Sequence, residues 1–338
     1  MIRFNNDYNL LAHEKVLEAL EATKNESFAG YGMDVWCEKG AQIVRKAIGD
    51  ENAAVFFIPG ATQVNFIVAK AALSPIQSII CADTGHIYCH EAASIETVGH
   101  KMLPLTNSNG KITAAQIQAE AAKYFDNGED EFLTEPHLVY ISFATEQGTI
   151  YTKQELTDIS AVCRKYGMLL YVDGARLGYG LGAKDNDLTL NDFAKLTDAF
   201  FIGGTKCGAM FGEALVITNK QLQRKFRSYM KQSGAVFAKG WTMGLQFCAL
   251  LENGLYFEIT KRADEYAMRI RDAFKRKGCV LMPDNSTNQQ FVVLTDEQKA
   301  KLAKDFVFEE CGDCVRFCTS WGTKEEEVTA LVKAIDQL

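Results

Sequence analysis

The sequence predicts a two-domain α/β protein whose larger domain is built on a mostly parallel sheet covered by helices. Three observations carry that expectation. The chain has 338 residues, enough for about two domains at roughly 150 residues each. Short apolar runs alternate with longer amphipathic stretches over the first two thirds. Those runs lack the in–out alternation of a sheet with one wet face, as expected of parallel strands buried on both sides.

In chain order, helical periodicity covers 13–24 and 36–48, and the first strand follows at 54–58. A helix at 64–73 leads to a strand at 78–82, and a helix at 113–125 precedes a strand at 138–143. The helix at 153–166 meets a stop at Gly167 and feeds straight into a strand at 168–172. Strands at 199–202 and 214–217 follow. After residue 239 the pattern changes to two long helical stretches, 240–258 and 260–277. Shorter strands at 279–282, 291–294 and 315–319 come next, then a last helix at 324–335. The expected division is 1–245 for the large domain, with its N-terminal arm, and 246–338 for a smaller α+β domain.

Composition excludes several classes. With 47% hydrophobic and 23% charged residues, the chain is neither disordered nor fibrous. A net charge of −7 and no basic block argue against nucleic acid or anionic membrane as partners. The longest apolar stretches, such as 53–59, fall far short of a bilayer span, and the first residues are too polar for a secretory signal. Ten cysteines in a chain of this size are expected as reduced thiols, in keeping with a cytoplasmic protein.

In open α/β sheets the ligand sits beyond the carboxyl ends of the strands, and reactive residues fall there repeatedly. The strand at 54–58 ends in Pro59-Gly60-Ala61-Thr62-Gln63-Val64-Asn65, running directly into a helix whose N-terminus favours an anion. An ordinary tight turn would read the same way. The strand at 168–172 ends in Asp173-Gly174-Ala175-Arg176. A buried acid needs a cation or proton donor, so Asp173 either pairs with Arg176 or faces a protonated heterocyclic nitrogen. The strand at 199–202 ends in Gly203-Gly204-Thr205-Lys206-Cys207-Gly208, where Lys206 is either a solvated loop cation or a desolvated, nucleophilic amine. The spacing is not that of a phosphate-binding Walker loop. Asp173 and Lys206, each at the end of its own strand, say more together than apart.

Taken in order, Gly60-Ala61-Thr62, His86, Asp173-Gly174-Ala175-Arg176 and Gly204-Thr205-Lys206 resemble pyridoxal-phosphate enzymes of fold type I, the aspartate-aminotransferase fold. More narrowly, the chain resembles the threonine aldolase and aromatic amino-acid β-eliminating lyase family. The resemblance runs from Tyr31-Gly32-Met33-Asp34 through Glu146-Gln147-Gly148-Thr149 to Lys231-Gln232 and Asn288-Gln289. It implies a seven-stranded sheet and pyridoxal 5′-phosphate as cofactor. It implies that Lys206 carries the cofactor aldehyde, that Asp173 keeps the pyridine nitrogen protonated, that Ala61 and Thr62 serve the phosphate, and that Thr205 also binds the cofactor. His86 is then the residue stacked on the ring and the base for the substrate hydroxyl, with His90 a bystander. Arg176 and Arg316 are the forks for the substrate carboxylate, and Lys231 is a basic position reaching a neighbouring subunit's phosphate.

The implied reaction is retro-aldol cleavage of a β-hydroxy-α-amino acid, threonine or allo-threonine, to glycine and an aldehyde. β-Elimination, transamination and racemisation need the same lysine and aspartate and remain alternatives. A homodimer or homotetramer with shared sites is implied as well. The family's early serine is absent; Asn6 or Asn9 in Asn5-Asn6-Asp7-Tyr8-Asn9 is left as the donor there. Cys311-Gly312-Asp313-Cys314 lacks the second ligand pair that zinc requires, so no metal is expected. Gly178-Tyr179-Gly180-Leu181-Gly182 lacks the spacing and the strand context of a nicotinamide site.

Overall fold

A computed structural model of the chain describes residues 1–128 and 130–338. Its strands are β1 (Ile2–Arg3), β2 (Ala54–Ile58), β3 (Gln77–Ala82), β4 (Lys101–Leu105), β5 (Glu135–Ser142) and β6 (Leu169–Asp173). After these come β7 (Ala199–Gly203), β8 (Glu213–Ile217), β9 (Gln289–Val292), β10 (Phe306–Val307), β11 (Glu309–Cys311) and β12 (Cys314–Cys318). Seven of them form one sheet in the order β2-β8-β7-β6-β5-β3-β4. Only β8 runs against the rest, pairing antiparallel with both β2 and β7. This is the mostly parallel seven-stranded α/β architecture expected.

The apolar runs are explained by burial on both faces. Along β5, Leu138 and Tyr140 enter one core while Val139 and Ile141 enter the other. In β7, Phe201 faces the first core, and Phe200 and Ile202 face the second. Helices close both faces. Helix Lys153–Tyr166 shows how locally they are specified: Thr152 and Glu155 form a capping box, and Gly167 ends the helix at φ +67.

The C-terminal part has its own core. Antiparallel strands β11-β12-β9 pack with helices Leu255–Arg276 and Glu325–Ile335 around Ile270, Phe274, Val292, Phe317 and Leu331. Phe4 completes that core, and β1 pairs in parallel with β10. Residue 245, the expected division, lies within helix Trp241–Leu251, which packs against helix Val35–Ile48 of the large sheet's flank.

Three local expectations differ from the structure. The strand expected at 279–282 is a single bridge between Leu281 and Val292, because Pro283 has no N–H to extend a ladder. β4 goes unseen in the sequence because Lys101 and Pro104 break its apolar pattern; it is a sheet edge, where both are tolerated. The two long helices break at Gly254 (φ +75), a left-handed position open to glycine, rather than near residue 259. No described helix is long and apolar enough to cross a membrane.

Candidate active site

The carboxyl ends of β2, β5, β6 and β7 open on one cavity of about 350 Å³. Ala61, Thr62, His86, Asp173, Arg176, Thr205 and Lys206 all line it. Sequence positions spread over nearly 150 residues are thus brought together by strand order, as the crevice rule for such sheets requires.

Helix Ala61–Ala72 begins at the cavity edge. Its N-cap is Gly60, which offers no side-chain cap, and a Cβ built there meets nothing within 4 Å. The first-turn N–H groups therefore face open space, with the positive end of the helix dipole behind them. Lys206 stands across the cavity in the loop after β7. Burial lowers the pKa of its ammonium and the Arg176 charge lowers it further, while Asp7, Asp173 and Glu213 act in the opposite direction.

Asp173 ends β6, buried at 4% exposure. Its Oδ2 accepts from the Tyr140 hydroxyl (2.8 Å) and Asn65 Nδ2 (3.0 Å), and its Oδ1 from the Ala175 N–H (2.9 Å). Arg176 is therefore not its ion-pair partner. Asn65 is oriented in turn by the Tyr171 hydroxyl, which donates to its Oδ1 at 2.7 Å. The Nδ2 of Asn65 also donates to Glu91 Oε1 (2.7 Å), and that oxygen lies 2.8 Å from His86 Nδ1. His86, half-buried, and buried Asp173 thus belong to one hydrogen-bonded network. Burial pulls the His86 imidazolium pKa down, but the Glu91 hydrogen bond and the Asp173 and Glu91 charges leave it raised overall. His90 stacks at a tilt on His86, 5.6 Å between ring centres.

Arg176 is held by a residue that sequence reasoning passed over. Its Nε and Nη2 donate to Asp7 Oδ2 (2.8 Å) and Oδ1 (3.0 Å), a bidentate buried pair. Burial alone would raise the Asp7 carboxyl, but Arg176, Lys206 and Asn288 together hold it at about 2. Asn6 and Asn9, the two donors expected in that segment, do not line the cavity: Asn6 accepts the Tyr8 N–H at 3.0 Å, and Asn9 Nδ2 donates to Asn5 Oδ1 at 3.3 Å.

Arg316 also lies outside the first cavity. It lines an adjoining one of about 980 Å³, together with His90 and with Glu146, which borders both cavities. Its guanidinium donates to Gln289 Oε1 (2.9 Å) and the Asn5 carbonyl (3.1 Å), and it pairs with Glu309. Lys231 sits over the Tyr31 ring, 4.8 Å from its centre, away from the cavity lining. The turn that follows it nevertheless touches helix Ala61–Ala72, where Gln63 Nε2 donates to the Ser233 carbonyl at 2.8 Å. Cys311 and Cys314 face each other across the β11–β12 turn as free thiols.

Of the supporting residues, Tyr171 has a usable sequence signal. It is two residues before Asp173 on one strand, and a period of two puts the two side chains on the same face; Tyr140 and Asn65 come from other elements and carry no such signal. Glu91 and Glu213 carried no such signal, since their contacts come from remote segments.

Comparison with known proteins agrees with this geometry. Residues 13–297 match the model of the family described as beta-eliminating lyase. A low specificity L-threonine aldolase from Pseudomonas sp. is 29% identical over 327 residues, covering 94% of this chain and 92% of that protein. The structure of Leishmania major threonine aldolase superposes with a TM-score of 0.96 at 39% identity, covering 100% of this chain and 99% of that one. A Thermus thermophilus aspartate aminotransferase mutant shares the fold alone, with a TM-score of 0.75 at 13% identity over 100% of this chain and 91% of its own. By its sequence, its fold and the residues gathered at the strand ends, the chain belongs to the beta-eliminating lyase family.

Proposed function

We propose that the protein is a pyridoxal-phosphate-dependent lyase that cleaves β-hydroxy-α-amino acids of the threonine type to glycine and an aldehyde. The observation that carries this reading is the convergence of Lys206, Asp173 and an uncapped helix N-terminus on one cavity. An amine for an aldehyde, an acid for a ring nitrogen and a cradle for a phosphate are what that cofactor requires, so the donor set fits it. When bound, pyridoxal 5′-phosphate supplies an aldehyde that takes up the substrate amine and a protonated ring that accepts the electron pair left on Cα.

The chain's own residues do the rest. Lys206, with its pKa lowered by burial, presents a larger share of neutral, nucleophilic amine. Asp7 occupies Nε and Nη2 of Arg176 and so fixes the guanidinium plane, leaving Nη1 for the substrate carboxylate. Arg316 serves as a second fork once the substrate carboxylate takes the place of Glu309. Glu91 occupies His86 Nδ1, which leaves Nε2 to accept the proton of the substrate β-hydroxyl as the Cα–Cβ bond breaks. His86 then holds that proton while the aldehyde leaves.

Two further expectations belong to the same reading. The ten free thiols suit a reducing, cytoplasmic location. Exposed Tyr31, Met33 and Val35 suit burial against a second copy, as in a homodimer or homotetramer with shared sites.

The test is to titrate the protein with pyridoxal phosphate, reduce with borohydride and map the labelled peptide, then assay L-threonine for glycine and acetaldehyde. A reducible chromophore on Lys206, with both it and cleavage lost in Lys206→Ala, is the expected result. Undiminished cleavage in that variant, or a label fixed on another lysine, overturns the reading.

A further inference from the structure

Glu213 is the first residue of β8, where it pairs with Gly203 at the end of β7 and with Ile58 at the end of β2. Between β7 and β8 the chain makes the loop that bears Lys206. The Glu213 carboxyl turns back beneath that loop: Oε2 accepts the Gly204 N–H at 2.8 Å and Oε1 the Thr205 hydroxyl at 2.6 Å. Thr205 Oγ1 in turn accepts the Gly212 N–H at 3.0 Å, closing the loop on itself. Glu213 is 2% exposed and still borders the cavity. An acid placed there for packing alone would carry a desolvation cost that a neutral side chain avoids.

We propose that Glu213 is a positioning residue for Lys206: its carboxyl pins the two residues leading into the lysine and supplies a negative charge facing the buried amine. The electrostatic surroundings agree. Burial pushes the Glu213 carboxyl up to about 7, against the Thr205 and Gly204 hydrogen bonds and the Lys206 charge. Asp173 adds to that rise, and the Cys207, Tyr171 and Tyr256 side chains complete the ionisable groups whose charge couples to it. On the Lys206 side the facing groups are Arg176, Asp7, Asp173 and Glu213, with His86 and Cys318 also feeling the Lys206 charge. An acid that ionises near neutrality beside an amine of lowered pKa makes amine reactivity depend on the state of the acid.

The functional consequence rests on Lys206 being the cofactor-bearing amine, but the test does not, because it is made on the full chain without cofactor. Acetic anhydride labelling of Lys206 is followed by peptide mass mapping across pH, with circular dichroism as the check on fold. Loss of the charge in Glu213→Gln lowers the proton affinity of the amine. Labelling at mildly alkaline pH then rises about tenfold over wild type, the change produced by one unit in the amine's pKa. Wild type additionally shows an inflection near neutrality that survives in His86→Asn. A folded Glu213→Gln chain whose labelling profile stays within about twofold of wild type overturns the proposal. If Glu213→Gln does not fold, a wild-type profile lacking the inflection overturns it instead. Failure of cofactor binding alone would count against the proposed function and leave these profiles unaffected.

Discussion

The two side chains best suited to chemistry, His86 and Asp173, are not independent. Asn65 Nδ2 donates to carboxylates on both sides, Glu91 behind His86 and Asp173 behind the cavity, so each orients the other's partner. The sign of the His86 shift yields a prediction. Glu91 raises the imidazolium pKa and a base must be unprotonated, so the Glu91 charge holds the acid limb of the kcat/KM profile at higher pH. Glu91→Gln should therefore move that limb to lower pH and improve activity several-fold on its acid side; a limb that stays put would exclude His86 as the base. Asp7 gives a second prediction. Its folded pKa of about 2 lies below the ordinary 3.8, so the stability it contributes is present above 3.8 and is lost as pH falls through 2. That difference is worth about 2 kcal/mol. Asp7→Asn should cost at least that much at neutral pH in urea unfolding, with the gap to wild type narrowing toward pH 2. The sequence could place Lys206, Asp173 and Arg176 because strand ends are local features. It could not pick Asp7 out of Asn5-Asn6-Asp7, because burial against Arg176 is decided by the fold and not by neighbours in the chain.

Elements follow the same logic. Strands buried on both faces announce themselves as short apolar runs, which is why β2, β3 and β5 to β8 are readable one by one. β4 and the Leu281 bridge are not, since Pro104 is tolerated in β4 because that strand has a neighbour on one side only, and Pro283 because the pairing ends there. Helix contacts depend on space that composition does not reveal. Helix Trp241–Leu251 lies so close to helix Val35–Ile48 that a Cβ at Gly244 would stand 2.5 Å from both the Cα and the N of Cys37. Those are backbone atoms in a helix capped by Asp34, and they cannot swing aside as a side chain tip would. Gly244→Ala should therefore force the helices apart and destabilise the fold by about 1–3 kcal/mol, read as a lowered Tm. An unchanged Tm would mean that the helix pair yields more easily than its packing implies.

At the scale of the molecule, the chain's first residues tie its C-terminal core to the cavity. Phe4 is fully buried among Ile270, Phe274, Phe306 and Phe317, its N–H donates to the Val307 carbonyl, and its carbonyl accepts the Cys318 N–H, each at 2.7 Å. Three residues later Asp7 grips Arg176 at the cavity of the large sheet, and Asn288 Nδ2 donates at 3.0 Å to Oδ2, the same Asp7 oxygen that receives Arg176 Nε. One short segment therefore sets both how the small sheet is packed and how the Arg176 fork is aimed. Removing the Phe4 ring should cost about 3–5 kcal/mol of packing in that core. Because the large sheet has cores of its own, the loss should be local: Phe4→Ala should speed amide hydrogen exchange in β9 and β12 while leaving β5 to β7 protected. With Asp7 less firmly held, KM for threonine should rise more than kcat falls if Arg176 is the substrate fork proposed above, because such a fork takes no part in breaking the bond. Exchange that quickens equally in β5 to β7 would show the two cores unfolding as one unit. A KM unchanged despite a loosened β12 would show that Asp7 keeps its grip on Arg176 without help from Phe4.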